Sequence, residues 1–401
     1  MSYDEGNMIA QPSTPLPPPN AAFGHSLRSL WTLDPAVHFL NHGSYGATPR
    51  FVQAAQLRWR EELEWEPVRF MGDILPDALR VAGARLARFV GASPSRLALV
   101  ENATAGANAV LRSMRWNAGD RIVLANHAYP AVKNTARFLA ERHRLQVVEA
   151  QVPWPLTDPA ALIDAYTDAI KGGARIAIID HIFSPLAVVT PLDAIVHRCR
   201  EQGVQALVDG AHAPGLLPLS IDALGDMGVD WYVGNCHKWL CAPKGCGFIV
   251  ATPEGQRDLH PAVISNFFGE GFEKEFAWTG TADPGARLAI TAALEFIEAL
   301  GVERYRIALR EQAREAASIL ANAWGVMPGA PAEMFAAMVT LPLPVTEPGS
   351  NEAVARWRMK LLQEHNIEVP IHNIEGRLWV RISAQVYNEL SDYEALARVF
   401  G

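Results

Sequence analysis

The sequence predicts an α/β fold, a mostly parallel sheet covered by helices on both faces, followed by a smaller α+β unit. Three observations lead to it. Short apolar strands at 97–100, 121–125, 146–152, 175–180 and 205–208 alternate with helix-length segments, the rhythm of strand–helix–strand crossovers. A strand with antiparallel potential, Gly247-Phe248-Ile249-Val250, closes this region. Past residue 290 the rhythm changes to long helical stretches and two separated strands.

Taken in order, residues 1–22 carry Pro12, Pro15, Pro17, Pro18 and Pro19 and little that can pack, which reads as a flexible or extended arm. Ordered structure is expected from 23–34 into the loop 38–46, with helices over 50–65 and 76–90. The apolar run 229–236 follows the strand at 205–208 and delivers His237 and Lys238. Helices at 286–300, 304–324 and 351–365 and strands at 338–343 and 378–382 make up the rest. The boundary falls at 285–295, dividing a large unit, 23–290, from a small one, 291–401. No internal repeat is visible.

Composition narrows the function classes. With 401 residues and 49% hydrophobic content, the chain is globular and has ample core. A net charge of −8 without a long basic run gives nucleic-acid binding little support. The longest apolar stretches, such as 176–179, are too short to span a bilayer. An acidic N-terminus without an apolar signal core argues against secretion, so the cytoplasm is the default. Four cysteines, Cys199, Cys236, Cys241 and Cys246, make no disulfide framework. Cys241-x4-Cys246 lacks zinc spacing and a second ligand pair, so no metal is expected.

The chemistry starts at Lys238. One apolar strand delivers this lysine and its neighbour ends in Val208-Asp209-Gly210-Ala211-His212. A lysine amine condenses reversibly with an aldehyde, and a buried carboxylate keeps a pyridine nitrogen protonated so that the ring withdraws electrons. Together they are what pyridoxal 5′-phosphate requires. Asp209 lies at the carboxyl end of its strand, where open α/β sheets place ligands. His212 is within reach of the cofactor's phenolic oxygen, and His237 of its phosphate. Glu101-Asn102-Ala103-Thr104-Ala105-Gly106 opens a helix after a strand, where free N–H groups and the Thr104 hydroxyl attract phosphate. Tyr129, after the strand 121–125, can stack on a flat ring. Thr281, in Trp278-Thr279-Gly280-Thr281, can reach phosphate across a subunit interface. Arg381, in Trp379-Val380-Arg381-Ile382-Ser383, suits bidentate capture of a carboxylate. Each has a plainer reading alone: a helix cap, a turn, a surface lysine, a solvated arginine. Their assembly carries the weight.

These residues, with Leu40-Asn41-His42-Gly43-Ser44-Tyr45-Gly46, Glu66-Pro67-Val68-Arg69-Phe70 and Asn235-Cys236-His237-Lys238-Trp239, carry a resemblance. The chain resembles fold-type I pyridoxal-phosphate enzymes of the class V aminotransferase group. Within that group it is most similar to isopenicillin N epimerase-like proteins and the C–S lyases of ergothioneine biosynthesis. The resemblance runs over roughly 38–390. It implies a seven-stranded-type sheet and a homodimer with active sites at the interface. Lys238 then anchors the cofactor and shuttles the α-proton, Asp209 pairs with the pyridine nitrogen and His212 with the phenolic oxygen. Tyr129 replaces a more usual stacking histidine. Ala103, Thr104 and His237 bind phosphate, joined by Thr281 of the neighbouring subunit. Ser184 stands where desulfurases place an asparagine near the ring oxygen. Arg381 holds the substrate carboxylate, with Asn41 and Arg69 lining the substrate side.

One departure matters. Cysteine desulfurases carry a mobile catalytic cysteine in the C-terminal third, and this chain has none after Cys246. Chemistry through a protein persulfide is disfavoured. The leading expectation is epimerisation or racemisation at Cα of an amino acid. C–S cleavage or another β-elimination of a cysteine-derived substrate is the alternative, followed by transamination and, more remotely, a protein that binds the cofactor without turnover. Epimerisation needs a second acid or base opposite Lys238, for which Tyr45, His42 and Tyr129 are the candidates.

Overall fold

The computed structural model describes residues 15–400. After the two-residue strand β1 (His38–Phe39), the main sheet is built from β2 (Leu97–Val100), β3 (Arg121–Ala125), β4 (Gln146–Ala150), β5 (Ile176–Asp180), β6 (Gln205–Gly210), β7 (Trp231–Asn235) and β8 (Gly247–Ala251). Their spatial order is β2-β8-β7-β6-β5-β3-β4. Strand β8 is antiparallel to both neighbours, as its sequence suggested, and every other pair is parallel. All residues of β2, β5, β7 and β8 are buried, as strands sandwiched between helices must be. The edge strand β4 instead carries Gln146 and Glu149 toward solvent, which blunts its open hydrogen-bonding edge.

A second sheet collects the C-terminal strands. Here β9 (Met338–Pro342), β11 (Ile371–Ile374) and β12 (Arg377–Ser383) pair antiparallel in the order β11-β12-β9. Glu375 and Gly376 join β11 to β12 with φ of 51° and 77°, the two positive values that a type I′ hairpin turn demands. Strand β10 (Ile367–Glu368) runs parallel to β1. This small pairing, with the Ser383 N–H donating to the Leu40 carbonyl at 3.0 Å, ties the segment after β1 to the C-terminal strands.

Helices Arg50–Trp65 and Asn351–His365 have the bounds their periodicity predicts. The stretch 286–300 divides into Gly285–Leu288 and Ile290–Leu300, and the next helix begins at Val302. Of the arm at 1–22, residues 1–14 lie outside the described residues. Residues 15–22 form no helix or strand, yet Leu16 and Ala21 pack on the core. Arg304 also donates to the Ala21 carbonyl at 2.5 Å.

The consequence for function is positional. Five parallel strands end on one edge and project their following residues there: β2 leads to Thr104, β3 to Tyr129, β5 to Ser184, β6 to His212 and β7 to Lys238. That edge is where open α/β sheets hold ligands.

Candidate active site

Lys238 occupies the connection 236–246 between β7 and β8. The Cys236 N–H donates to the Cys246 carbonyl at 3.0 Å and closes its neck. The loop 40–46 presses on it from outside. Gly46 has a φ of 69°, and a Cβ there would lie 2.0 Å from the His237 carbonyl oxygen, so no side chain fits. Lys238 is 7% exposed, with Nζ 2.9 Å from His212 Nε2. Burial first, then the Arg381 charge, lowers its pKa to about 7, against the opposing pull of Asp209. A large share of this lysine is therefore the uncharged, nucleophilic amine at neutral pH.

Asp209 ends the buried run of β6, in register with Asp180 on β5. The Asp209 Oδ1 accepts from the Ala211 N–H at 3.0 Å. Burial raises its pKa, while the Ala211 N–H and Lys238 oppose the rise. Asp180 is pushed well above the usual carboxylate range by burial and then by Asp209. Two carboxyls paired in register in a dry site oppose each other's ionisation, and the rise falls more heavily on Asp180, which lacks the Lys238 charge that opposes it at Asp209. Sequence reasoning missed Asp180. The signal was its place at the end of a buried strand adjacent to the one ending in Asp209.

At the helix Ala103–Ser113, the cap is Asn102, whose side chain accepts from the Ala105 N–H at 2.9 Å. The Ala103 N–H is taken by Asn235 Oδ1 of β7 at 2.8 Å. Among the described residues the Thr104 N–H and hydroxyl have no hydrogen-bond partner. An unoccupied donor pair at a helix start is an anion seat. His237 turns Nδ1 to the Cys246 carbonyl at 3.4 Å, and burial lowers its pKa to about 4.

Arg381 lies on β12, is 1% exposed and faces no carboxylate among the described residues. It donates to the Ser184 carbonyl at 2.5 Å, to Ser184 Oγ at 3.2 Å and to Ser44 Oγ at 3.2 Å. Ser44 in turn donates to Asn41 Oδ1 at 2.5 Å, and Asn41 Nδ2 donates to Glu368 Oε1 at 2.9 Å. Arg381 Nε is buried without a partner. An unpaired buried guanidinium is costly, and a substrate carboxylate is the complement it lacks.

The fold thus brings Lys238, His212, Asp209, Ser184, Arg381 and Asn41 together. Tyr129 also belongs here. Its pKa is raised by burial, then by Tyr45 and Asp209, and its backbone N–H serves the Asp180 carboxyl. Two expected residues lie outside this network. Arg69 is exposed and pairs with Glu66 at 3.4 Å, and Thr281 is exposed in its loop. His42 is fully buried and donates or accepts at both ring nitrogens, to the Tyr387 hydroxyl at 2.8 Å and the Lys238 carbonyl at 3.0 Å. All four cysteines are buried and free.

Comparison with known proteins places the chain in a family. The family model described as Aminotransferase class-V matches residues 72–396. A probable L-cysteine desulfhydrase, chloroplastic, of Arabidopsis thaliana is 32% identical, over 90% of this chain and 82% of that protein. Isopenicillin N epimerase of Streptomyces clavuligerus is 31% identical, over 92% of this chain and 96% of that protein. Among solved structures, the apo cysteine desulfurase of Thermococcus onnurineus NA1 superposes with a TM-score of 0.78 at 18% identity, covering 95% of this chain and 98% of that one. By the matched family model and by relatives that align along nearly its whole length, the chain belongs to the class V aminotransferase family and is a pyridoxal-phosphate-dependent enzyme.

Proposed function

We propose that this enzyme takes the α-proton from a cysteine-derived amino acid with Lys238 and releases a sulfur substituent from the β-carbon, as a C–S lyase. When bound, pyridoxal 5′-phosphate supplies an aldehyde for the amine and a ring that withdraws electrons from Cα. The residues fit that group. Asp209 uses only Oδ1 internally, leaving its second oxygen for a protonated ring nitrogen. Thr104 offers its free N–H and hydroxyl to phosphate, and a phosphate dianion beside His237 would offset the burial that lowers its pKa, making Nε2 a donor. Tyr129 offers its ring face, and Arg381 holds the substrate carboxylate.

The observation that supports elimination over epimerisation is the state of His42. Its Nε2–H is committed to the Lys238 carbonyl and its Nδ1 to the Tyr387 hydroxyl, and burial lowers its pKa to about 3, so neither nitrogen is free to act from a second face. Elimination needs one base. Lys238 takes the proton, the Cα–H pair becomes the new Cα–Cβ bond, and sulfur departs with the Cβ–S pair and is protonated by the Lys238 ammonium. Desulfhydrase relatives at 31–33% identity are consistent with this reading.

Epimerisation is the second reading. Tyr45 and Tyr129 stand close enough to influence each other, and two epimerases are relatives. Incubation with cysteine and S-substituted cysteines separates the two. Pyruvate with sulfide or thiol is the expected result; inversion or deuterium uptake at Cα without pyruvate overturns the lyase reading.

We also propose a cytoplasmic homodimer. Trp65 and Val68, 87% and 86% exposed, stand just before Arg69 among charged neighbours, two large apolar side chains that a second subunit would cover. Arg69 and Thr281 would then reach a site across the interface. Sedimentation at a monomeric mass would refute the dimer.

A further inference from the structure

His212 is held between two neighbours of the same loop. Lys238 Nζ lies 2.9 Å from His212 Nε2, and Trp239 Nε1 lies 3.3 Å from His212 Nδ1. An indole N–H can only donate, so Nδ1 must present a lone pair. The imidazole is neutral: it is fully buried, and the charges of Lys238, Arg381 and His237 all oppose its protonation. A neutral imidazole with a lone pair at Nδ1 carries its single hydrogen at Nε2. That hydrogen points at Lys238. An ammonium has three donors and no acceptor, so the partner that fits is the uncharged amine.

We propose that Trp239 is a positioning residue that fixes His212 as its Nε2–H tautomer and thereby selects the neutral amine at Lys238. The lysine loop thus brings its own regulator, one residue beyond the nucleophile. Trp239 is held in turn, with its carbonyl accepting from the Tyr305 hydroxyl at 3.1 Å. Other charged groups facing Lys238 are Arg381 from β12, which also favours the neutral amine, and Asp209 from β6, which opposes it. The inference rests on Lys238 as the reactive amine and is independent of whether a β-substituent leaves.

Trp239→Phe keeps the ring and removes the N–H. His212 is then free to move its hydrogen to Nδ1 and accept from a Lys238 ammonium. The gain of one hydrogen bond by the charged form raises the lysine pKa by about one unit. The test is the rate of pyridoxal phosphate capture by the full chain freed of cofactor, followed by absorbance from pH 6 to 9. The variant should capture about fivefold more slowly at pH 7 and at nearly the wild-type rate at pH 9. An equal loss at every pH would mean that Trp239 only packs, and no loss would also overturn the proposal. A second measurement does not need the variant to fold. In ¹⁵N-histidine spectra of the wild-type chain, with His212 assigned by its disappearance in His212→Asn, Nδ1 should be unprotonated and Nε2 protonated. The reverse tautomer would sink the proposal.

Discussion

Arg381 holds Ser184 at two points, donating to its main-chain carbonyl at 2.5 Å and to its hydroxyl at 3.2 Å. The resemblance implies that Ser184 stands near the cofactor's ring oxygen, and in the structure it also braces the guanidinium. The two contacts differ in what mutation removes.

Ser184→Ala deletes the weaker contact and leaves the carbonyl, so KM should rise about two- to fivefold with kcat little changed. Arg381→Lys loses the planar fork and should lower kcat/KM by about 100-fold. Steady-state kinetics on both variants checks the ordering, and equal effects would refute Arg381 as the carboxylate clamp.

Asn235 satisfies the Ala103 N–H from the neighbouring strand. Asn235→Ala leaves that buried donor without a partner, at a cost of about 1–3 kcal/mol. It also releases the helix start from β7. Denaturant unfolding should show the loss, and equilibrium dialysis should show weaker pyridoxal phosphate binding.

Acid should unfold this protein partly through its buried histidines. His42 has an ordinary pKa of 6.5 and is lowered by burial to about 3. Between those values the unfolded chain binds a proton that the folded chain refuses. The stability His42 contributes is therefore complete above pH 6.5 and is lost progressively as pH falls toward 3. His181 and His372, lowered by burial to about 4 and about 3, act in the same direction. His42→Gln removes one such group while keeping a donor and an acceptor. The stability lost between pH 7 and pH 4 should shrink by about 3 kcal/mol, read from denaturant midpoints at the two pH values. A parallel loss in both proteins would refute it.

The four thiols are buried, and burial pushes Cys199 and Cys241 up to about 12. A thiol reagent should therefore titrate essentially none of them in the native protein and all of them in denaturant. Fast native labelling with loss of activity would reopen a persulfide route.

Much of the fold was legible because β2, β3, β5 and β6 are short apolar runs, and such runs between helical segments read plainly as buried parallel strands. Strands β1 and β10 were not legible, since two residues have no period. The helix start at 101–106 was legible as a helix, but its cap was not. Asn102 and Thr104 are both good capping residues, and only coordinates show that Asn102 takes the role and leaves Thr104 open. In the site, Lys238, Asp209 and His212 announced themselves by residue type at strand ends. Asp180 did not, because its importance comes from register with Asp209 across two strands. Trp239 stood in the sequence only as the residue after Lys238, and its donor role depends on where the indole nitrogen points.

Strand β8 is the one that runs against the others, and this governs how far Lys238 can travel. Because β8 returns beside β7, the segment bearing the lysine leaves and re-enters the sheet at adjacent rungs, like a staple with both feet set, its opening closed by the Cys236–Cys246 bond. A crossover helix in its place would have allowed a wide swing. Here the amine moves only as its own four-carbon stem rotates. As the proposed base, an amine on so short a tether reaches one face of a planar carbon, and the order of the strands then sets the handedness of proton removal.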